Sequence, residues 1–258
     1  NWTGFWCPTP QPERFAKPAV AATRGIDAVD PQVETILGGL VVTKESLYFS
    51  GGGMRGMETG TFLARMIAEE PELAARLDSI GVHLYDADPD VNLSLLGWVR
   101  GRMRDAGVGS AGLSVTEFGW TTSGSPDALS EEARAGAYTA LVNQLPRTDC
   151  DVRALAAHAW TTPELDPADP EHWFGIADPA TGALHPAGEA YRDSVALFEG
   201  RGPTPAPRET IPVCNAGPPD QDADGTPDES DDYPLDATKD SGSGEVPPTS
   251  EPPEEPVR

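Results

Sequence analysis

Basic residues are scarce in this sequence. Among 258 residues, 18 Lys and Arg stand against 42 Asp and Glu, which gives a net charge of −24. A nucleic-acid-binding protein needs basic side chains to neutralise phosphates, so this balance excludes nucleic acid as a partner. It disfavours an anionic membrane surface for the same reason. Apolar runs also stay well short of the roughly 20 residues that a membrane-spanning helix requires, so we predict no membrane insertion.

Cysteine is scarce as well, with only Cys7, Cys150 and Cys214. No Cys-x-x-Cys spacing occurs, which argues against a zinc or redox site. An odd number leaves one cysteine unpaired or paired outside this chain, and the sequence does not decide which. Few cysteines together with a proline-rich acidic end favour a secreted or cell-surface bacterial protein. The oligomeric state stays open.

Aromatic residues almost disappear after residue 200. Segment 201–258 holds 13 of the 27 prolines, the single aromatic Tyr233, and 14 acidic against 4 basic residues. Such a segment cannot bury enough apolar surface to offset the entropy lost on ordering. We therefore predict a folded domain at 1–200, a proline-rich linker at 201–217, and a disordered Pro/Glu/Ser-rich tail at 241–258.

The first 200 residues contain apolar runs that alternate between strand and helix character. Alternation of this kind predicts a parallel sheet with helices packed outside it. A doubly wound sheet and a (β/α)₈ barrel both fit the pattern. The predicted strands are 33–42, 80–85, 113–118 and 154–160, and the predicted helices are 13–29, 59–68, 91–105, 126–145 and 188–198.

Polar and aromatic side chains stand at the carboxyl ends of three consecutive predicted strands. In a barrel these ends converge on one site, which favours the barrel over the doubly wound sheet. Four strands cannot close a barrel. We therefore predict an α/β fold that is the second half of a TIM barrel, about strands 5–8, with the other strands before Asn1. The strand-end residues are His83, Tyr85, Glu117, Trp120, His158 and Trp160.

The stretch Leu113–Trp120 places one carboxylate, Glu117, in an otherwise apolar strand. Burying a carboxylate there is costly unless the group is paired or used in chemistry. Glu117 is therefore either a structural carboxylate at a barrel rim or a catalytic one.

The pattern Thr-Glu-Phe-Gly-Trp at Thr116–Trp120 resembles the end of strand seven in clan A glycoside hydrolases of the family 5 and 39 type. His83-Leu84-Tyr85 is similar to the His-x-Tyr that ends strand six, and Trp160 to a Trp that ends strand eight. The closing Trp173–Asp178 is similar to the last loop of these enzymes. The resemblance implies a retaining O-glycosidase that acts on a poly- or oligosaccharide, with Glu117 as nucleophile and no cofactor for catalysis.

The same resemblance implies where the substrate and the second catalytic group would lie. The sugar-binding residues it implies are Asn1, His83, Tyr85, Trp120 and Trp160. Asn1 is similar to the final Asn of an Asn-Glu-Pro-Asn motif, so the acid/base Glu is expected just before it. We therefore expect this 258-residue chain to be inactive by itself.

Segment 218–240 carries a second signal, the pattern D-x-D-x-D-G-x-x-D-x-x-D. Oxygen ligands at these positions, with Gly225 at the sharp turn, suit calcium. The segment resembles a thrombospondin type 3 repeat, with Tyr233 where that repeat has cysteine. We predict a Ca²⁺ site in the tail, although chance spacing in an acidic tail would look the same. The predicted ligands are Asp220, Asp222, Asp224, Asp228 and Asp231.

One other class of function remains open. A degenerate barrel with a calcium segment also fits a non-catalytic, cell-surface or wall-associated carbohydrate-binding protein. The sequence before Asn1 distinguishes the two classes, because a Glu two residues before it, at the end of a strand, favours the enzyme. The sugar, linkage and anomer are not determined by the sequence.

Overall fold

Four parallel strands form the main sheet of the computed structural model. They are β1 (Ile36–Val41), β4 (Ser79–Leu84), β5 (Gly112–Phe118) and β6 (Val152–Ala157), and their order in the sheet is β1-β4-β5-β6. Order in space therefore follows order along the chain, as in a barrel, whereas a doubly wound sheet reverses direction at its middle. Between β1 and β4 lies a short antiparallel hairpin that the sequence analysis did not predict, β2 (Leu47–Tyr48) with β3 (Met54–Gly56).

The structure describes residues 1, 9–48, 54–199, 201 and 209–215. Cys7 and the predicted calcium ligands lie outside these residues. Within them, no helix combines the length and apolar character needed to cross a membrane. The compact unit that contains the sheet runs from Asn1 to Asn215, which places 209–215 with the folded body instead of the linker.

Five α-helices of the described residues pack around the strands, and the position at which each begins follows local chemistry. Proline occupies the first turn of α1, α3 and α5, where a missing N–H costs nothing. The side chains of Glu58, Asp88 and Ser130 accept hydrogen bonds from the first backbone N–H groups of α2, α3 and α4. The helices are α1 (Pro12–Val29), α2 (Thr59–Glu69), α3 (Pro89–Asp105), α4 (Glu131–Gln144) and α5 (Pro186–Phe198).

The helix-facing side of the sheet is the hydrophobic core. Alternate residues of a strand point to the same side, and on β4 and β5 the residues that face the helices are fully buried. Burying such a row removes apolar area worth roughly 25 cal/mol per Å². Its members on these two strands are Ile80, Val82, Leu84, Leu113, Val115 and Phe118.

The opposite face of the sheet, the inner face, has small or polar side chains. Ser79 of β4 and Ser114 of β5 share a buried hydrogen bond of 2.7 Å across it. Toward the two edge strands the inner face is open, and Gly38, Ala154 and Ala156 are exposed. In a closed barrel this face would be covered by side chains from further strands.

Several predicted boundaries were wrong. The last strand ends at Ala157 instead of Trp160, because its pairing with β5 ends where Ala157 faces Phe118. The first strand covers only Ile36–Val41. Helix α4 begins at Glu131, five residues later than predicted, after the cap at Ser130.

Candidate active site

Glu117 reaches the inner face through a β-bulge. On β5, Leu113 and Val115 face the helices, so strict alternation would send Glu117 to the same side. Instead, both neighbouring strands show a register shift at Thr116–Glu117, and Phe118 takes the helix-facing position. One extra residue in the strand therefore turns the carboxylate away from the core and toward the mouth of the sheet.

Two side chains from β4 and its carboxyl end hold the Glu117 carboxylate. The Tyr85 hydroxyl donates to Oε2 over 2.6 Å. The Nδ1 atom of His83 lies 3.3 Å from the same oxygen. This histidine can donate a hydrogen bond when its proton is on Nδ1. The Glu117 side chain is 37% exposed, so the carboxylate is both anchored and accessible.

Burial sets the protonation of the two partners. Burial, the hydrogen bond to Glu117 and the charge of that carboxylate all raise the pKa of Tyr85, so its hydroxyl remains a donor. Burial lowers the pKa of His83 and outweighs the opposite effect of Glu117, while His158 lowers it further. The site is therefore a carboxylate supported by a neutral phenol and an imidazole that favours its neutral form.

An aromatic wall, formed by His158 and Phe174, supports Tyr85. The centroid of the Tyr85 ring lies 6.0 Å from the centroid of the His158 ring and 5.8 Å from that of the Phe174 ring, and both pairs have edge-to-face geometry. The rings of His158 and Phe174 contact each other at 5.3 Å. Behind them, Nε2 of His158 lies 3.6 Å from Oε2 of Glu171. This packing restricts the tyrosine ring and fixes its hydroxyl on Glu117.

Trp160 stands at the mouth with 59% of its surface exposed. Its backbone is fixed, because its carbonyl accepts hydrogen bonds from the N–H groups of Ile176 and Ala177. An exposed indole on an anchored backbone offers a flat apolar surface at low entropic cost. This position suits the predicted sugar contact and not core packing.

Trp120 does not occupy the predicted position. Its side chain is 4% exposed, and its ring packs against Phe118 and Tyr138. The indole N–H donates to the carbonyl of Asp86 over 2.8 Å. Trp120 follows β5 on the helix-facing side, so its burial does not support a direct sugar contact, which stays a prediction.

Asn1 is also engaged by the protein itself. Its Nδ2 donates to the carbonyls of Val41 and Met57 at 2.8 and 2.9 Å, and its Oδ1 accepts from the N–H of Val41. Both amide hydrogens are used by backbone groups, so Asn1 is not free to donate to a sugar. Its place at the carboxyl end of β1 gives it a supporting role beside the mouth.

Arg134 ties together the two loops that frame the mouth. This buried residue of α4 donates to the carbonyls of Trp120, Trp173 and Gly175 over 2.8–3.3 Å and pairs with Glu131 at 2.5 Å. One guanidinium thus links the loop after β5 to the loop after β6. The link keeps Phe174 in place beside Tyr85.

Within the described ranges, Asp149, Cys150 and Cys214 are the one group of at least three His, Cys, Asp or Glu side chains close enough to share a metal ion. The two cysteines form a disulfide bond, so they offer no thiolate. This group belongs to the amino-terminal end of the sheet, away from Glu117.

Three parts of the site could not be predicted from the sequence. Phe174 was noted only as part of a closing motif, although it packs on Tyr85. Glu171 belongs to no recognisable sequence motif, yet its carboxylate contacts His158 of the site. The bulge at Thr116 has no residue signature in the sequence, yet it decides the direction of Glu117.

Comparison with known proteins finds no matching family model and no matching curated protein. Solved structures do match. A glucosidase from Croceicoccus marinus is 16% identical with a TM-score of 0.56, over 73% of this chain and 37% of its own. A monomeric β-xylosidase from Caulobacter crescentus CB15 is 17% identical with a TM-score of 0.52, over 76% and 40%. A fungal β-1,4-galactanase is 12% identical with a TM-score of 0.50, over 71% and 55%.

These structures confirm the predicted fold class at the level of architecture. The chain has a parallel half-sheet with outer helices that matches part of the TIM barrel found in glycoside hydrolases. It spans between 37% and 55% of the length of those three structures. At 12–17% identity the likeness shows the fold alone.

Proposed function

We propose that these residues form the nucleophile half of a retaining glycosidase, with Glu117 as the nucleophile. The observation that carries the proposal is the Glu117 carboxylate at the mouth of a parallel half-barrel, fixed by the 2.6 Å hydrogen bond from Tyr85. Active sites of TIM barrels lie at this end of the sheet. The names of the three fold neighbours, a glucosidase, a xylosidase and a galactanase, support a carbohydrate substrate.

The contacts of Glu117 suit nucleophilic attack. Tyr85 and His83 both approach Oε2, so in the described part of the chain Oε1 is the oxygen left for the sugar. In the first step Oε1 forms a bond to the anomeric carbon, and the bond from that carbon to the leaving oxygen breaks. In the second step water replaces the carboxylate. The hydrogen bond from Tyr85 keeps the carboxylate oriented through both steps.

A retaining mechanism needs a second carboxyl group about 5–5.5 Å from the first, which protonates the leaving oxygen and later accepts the proton of water. We propose that this group comes from a strand beside β1. Asn1 supports this placement, because its amide binds both backbone polar groups of Val41 at the carboxyl end of β1. A strand that ended there would bring its last side chains toward Glu117.

Trp160 would bind the sugar ring on its exposed indole face, where the C–H groups of a pyranose find an apolar surface. His83 and the pair of His158 with Glu171 add polar groups for sugar hydroxyls around it. Glu171 is 70% exposed, so it is accessible to a ligand.

The test is hydrolysis of aryl glycosides by the longest natural chain that contains these residues. Glu117→Gln removes the nucleophile but keeps the shape, and we expect activity to fall by roughly 10⁴-fold. Glu132→Gln, an exposed carboxylate in the first turn of α4, is the matched control and should keep full activity. The first product should have the same anomeric configuration as the substrate. Unchanged turnover in Glu117→Gln would refute the role of Glu117 as nucleophile, whereas sugar binding without turnover in the unaltered protein would favour the non-catalytic carbohydrate-binding protein.

We also propose that segment 218–240 binds Ca²⁺ outside the cell. The spacing of its five aspartates supports the ion. The disulfide between Cys150 and Cys214 supports an oxidising compartment such as the cell exterior. Calorimetric titration of the 258-residue chain with CaCl₂ should show binding that Asp220→Asn with Asp224→Asn removes. No heat in the unaltered chain would refute the site.

A further inference from the structure

A glycine in β1 lies directly under the imidazole of His83. A Cβ atom built on Gly39 would lie 1.9 Å from His83 Nε2 and 2.7 Å from Thr116 Oγ1. Real Cβ atoms do not approach other heavy atoms so closely. The neighbouring Gly38 differs, because a Cβ atom there would meet nothing within 4 Å.

The glycine is needed for space and not for backbone conformation. Gly39 does not have the positive φ that favours glycine, unlike Gly107 or Gly124. It lies in a bulge, where Gly38 and Gly39 together face Gly81 of β4. The bulge and the missing side chain let the imidazole lie across β1, so that Nε2 faces Gly39 while Nδ1 faces Glu117. His83 is thereby wedged, with 13% of its side chain exposed.

We propose that Gly39 is a positioning residue, which holds the His83 imidazole against the Glu117 carboxylate by leaving room for only a hydrogen atom beneath the ring. The proposal rests on the proposed role of Glu117 for its functional meaning. The packing itself is independent of that role. A side chain at position 39 must push the ring toward the mouth or force the two strands apart.

The surroundings of the imidazole determine in which direction this displacement should change the pKa of His83. Burial lowers the pKa of His83, and the charged or titratable groups that act on it are Glu117, His158 and the amino group of Asn1. An imidazole displaced toward solvent regains hydration, so the main cause of the lowered pKa is reduced. Its pKa then moves up toward the ordinary value of 6.5.

NMR titration of the histidine rings in the 258-residue chain tests the proposal. The chain has four histidines, and His83→Gln identifies the resonance of His83. We expect Gly39→Ala to raise the pKa of His83 and Gly38→Ala, the matched control, to leave it unchanged. An identical His83 titration in Gly39→Ala and the unaltered chain would overturn the proposal.

A double-mutant cycle keeps the test decisive if Gly39→Ala folds poorly. Forcing a methyl group into a filled space lowers the folding equilibrium constant by about tenfold or more. If the main clash is with His83, the same substitution in a His83→Ala background should cost several-fold less, because only the contact with Thr116 Oγ1 remains. Backbone effects of Gly→Ala cancel between the two backgrounds. An equal cost in both backgrounds would show that His83 is not the reason for glycine.

These measurements separate the inference from the proposed function. They use no substrate, so loss of the glycosidase assignment through an active Glu117→Gln variant would leave the Gly39–His83 result standing. Conversely, an unchanged His83 titration would remove the role of Gly39 without affecting the role of Glu117.

Discussion

The two ends of the sheet are built for different purposes. At the carboxyl end, the side chains of Tyr85, Glu117 and Trp160 meet solvent and keep bonding capacity. At the amino end, the polar side chains of Asp149 and Arg100 bond backbone groups, and a disulfide bond joins Cys150 to Cys214. The difference agrees with our proposal that the carboxyl end carries chemistry, while the amino end contributes stability, as is general for barrels.

The amino end is closed by a strap, defined as residues 209–215. Cys214 of the strap forms a disulfide bond with Cys150, and Ile211 exchanges backbone hydrogen bonds with Arg147 and Asp149. The carboxylate of Asp149 accepts from the N–H groups of strap residues 213–215 over 2.7–3.0 Å.

Arg100 fixes the same end from the side of α3. Its guanidinium donates to the carbonyls of Ala111 and Cys150, just before β5 and β6 begin. The two carbonyls lie just outside the strands, so Arg100 supplies hydrogen-bond donors that the sheet itself does not. Arg100 and the strap bond residues that precede β5 and β6, whereas Glu117 stands at the opposite end of β5, so a change here should alter stability without altering the candidate active site.

The largest effect should come from removing the disulfide bond. Cys150 and Cys214 are 64 residues apart, and the closure of such a loop corresponds to about 4 kcal/mol of unfolding free energy. Replacing both with Ala should therefore lower the unfolding free energy in urea by about that amount. The His83 titration should stay as in the unaltered chain. A changed titration would mean that the two ends are coupled.

Removing Arg134 should cost nearly as much, about 3 kcal/mol, because three backbone carbonyls, two of them in buried bonds, and Glu131 lose their donor. This change acts at the carboxyl end, so Arg134→Ala should also speed amide hydrogen exchange in the loop that contains Phe174. Arg192→Ala, an exposed control, should change the unfolding free energy by less than about 0.5 kcal/mol. Equal exchange in Arg134→Ala would contradict the role of this residue as a link between loops.

Substitution of Tyr85 separates stability from activity. Tyr85→Phe removes one hydrogen bond at a part-exposed site and should cost about 1 kcal/mol or less of unfolding free energy. Hydrolysis by the longest natural chain should fall by about 10- to 100-fold, because the carboxylate loses its orientation. Tyr191→Phe, whose hydroxyl contacts a backbone carbonyl at 3.4 Å, is the control and should keep its activity. Similar activity losses in both variants would point to general loosening instead of orientation.

The smallest predicted effect is the loss, at acid pH, of the stability that Asp149 contributes. Burial raises the pKa of Asp149, but the hydrogen bonds from the strap outweigh it and leave the pKa below its ordinary value of 3.8. A carboxyl group with a lowered folded-state pKa stabilises the fold above that ordinary value, and the stabilisation is lost as the pH falls through the folded pKa. The stability difference between the unaltered chain and Asp149→Asn should therefore shrink below about pH 4. A difference independent of pH would contradict the charge-based account.

The architecture could be predicted from the sequence because its signals are periodic. Runs such as Ile80–Leu84 and Leu113–Phe118 place an apolar residue at nearly every second position, and the alternation of such runs with helices implies a parallel sheet. The contact of Tyr85 with Glu117 also followed from this order, since both residues stand at the ends of adjacent strands. Periodicity cannot predict where a strand departs from regular alternation, and the bulge at Thr116 is such a departure.

Residues whose partners are distant in sequence were harder to predict. Trp120 and Trp160 both follow a strand, yet one is buried under α4 and the other is exposed. The difference depends on Tyr138, which packs on Trp120, and on Ile176 and Ala177, which bond the backbone of Trp160, and none of these contacts has a local signature. The amide of Asn1 likewise bonds a residue 40 positions away.

Trapping of the glycosyl-enzyme tests the central claim most directly. A dinitrophenyl 2-deoxy-2-fluoroglycoside carries a leaving group that needs no protonation, so only the nucleophile is required for the first step. Glucosyl, xylosyl and galactosyl forms cover the sugars named for the fold neighbours. After incubation with the longest natural chain and digestion, we predict that the peptide containing Leu113–Trp120 carries the fluorosugar as an ester on Glu117, with release of dinitrophenolate. A label on any other carboxylate of the active protein would contradict the account.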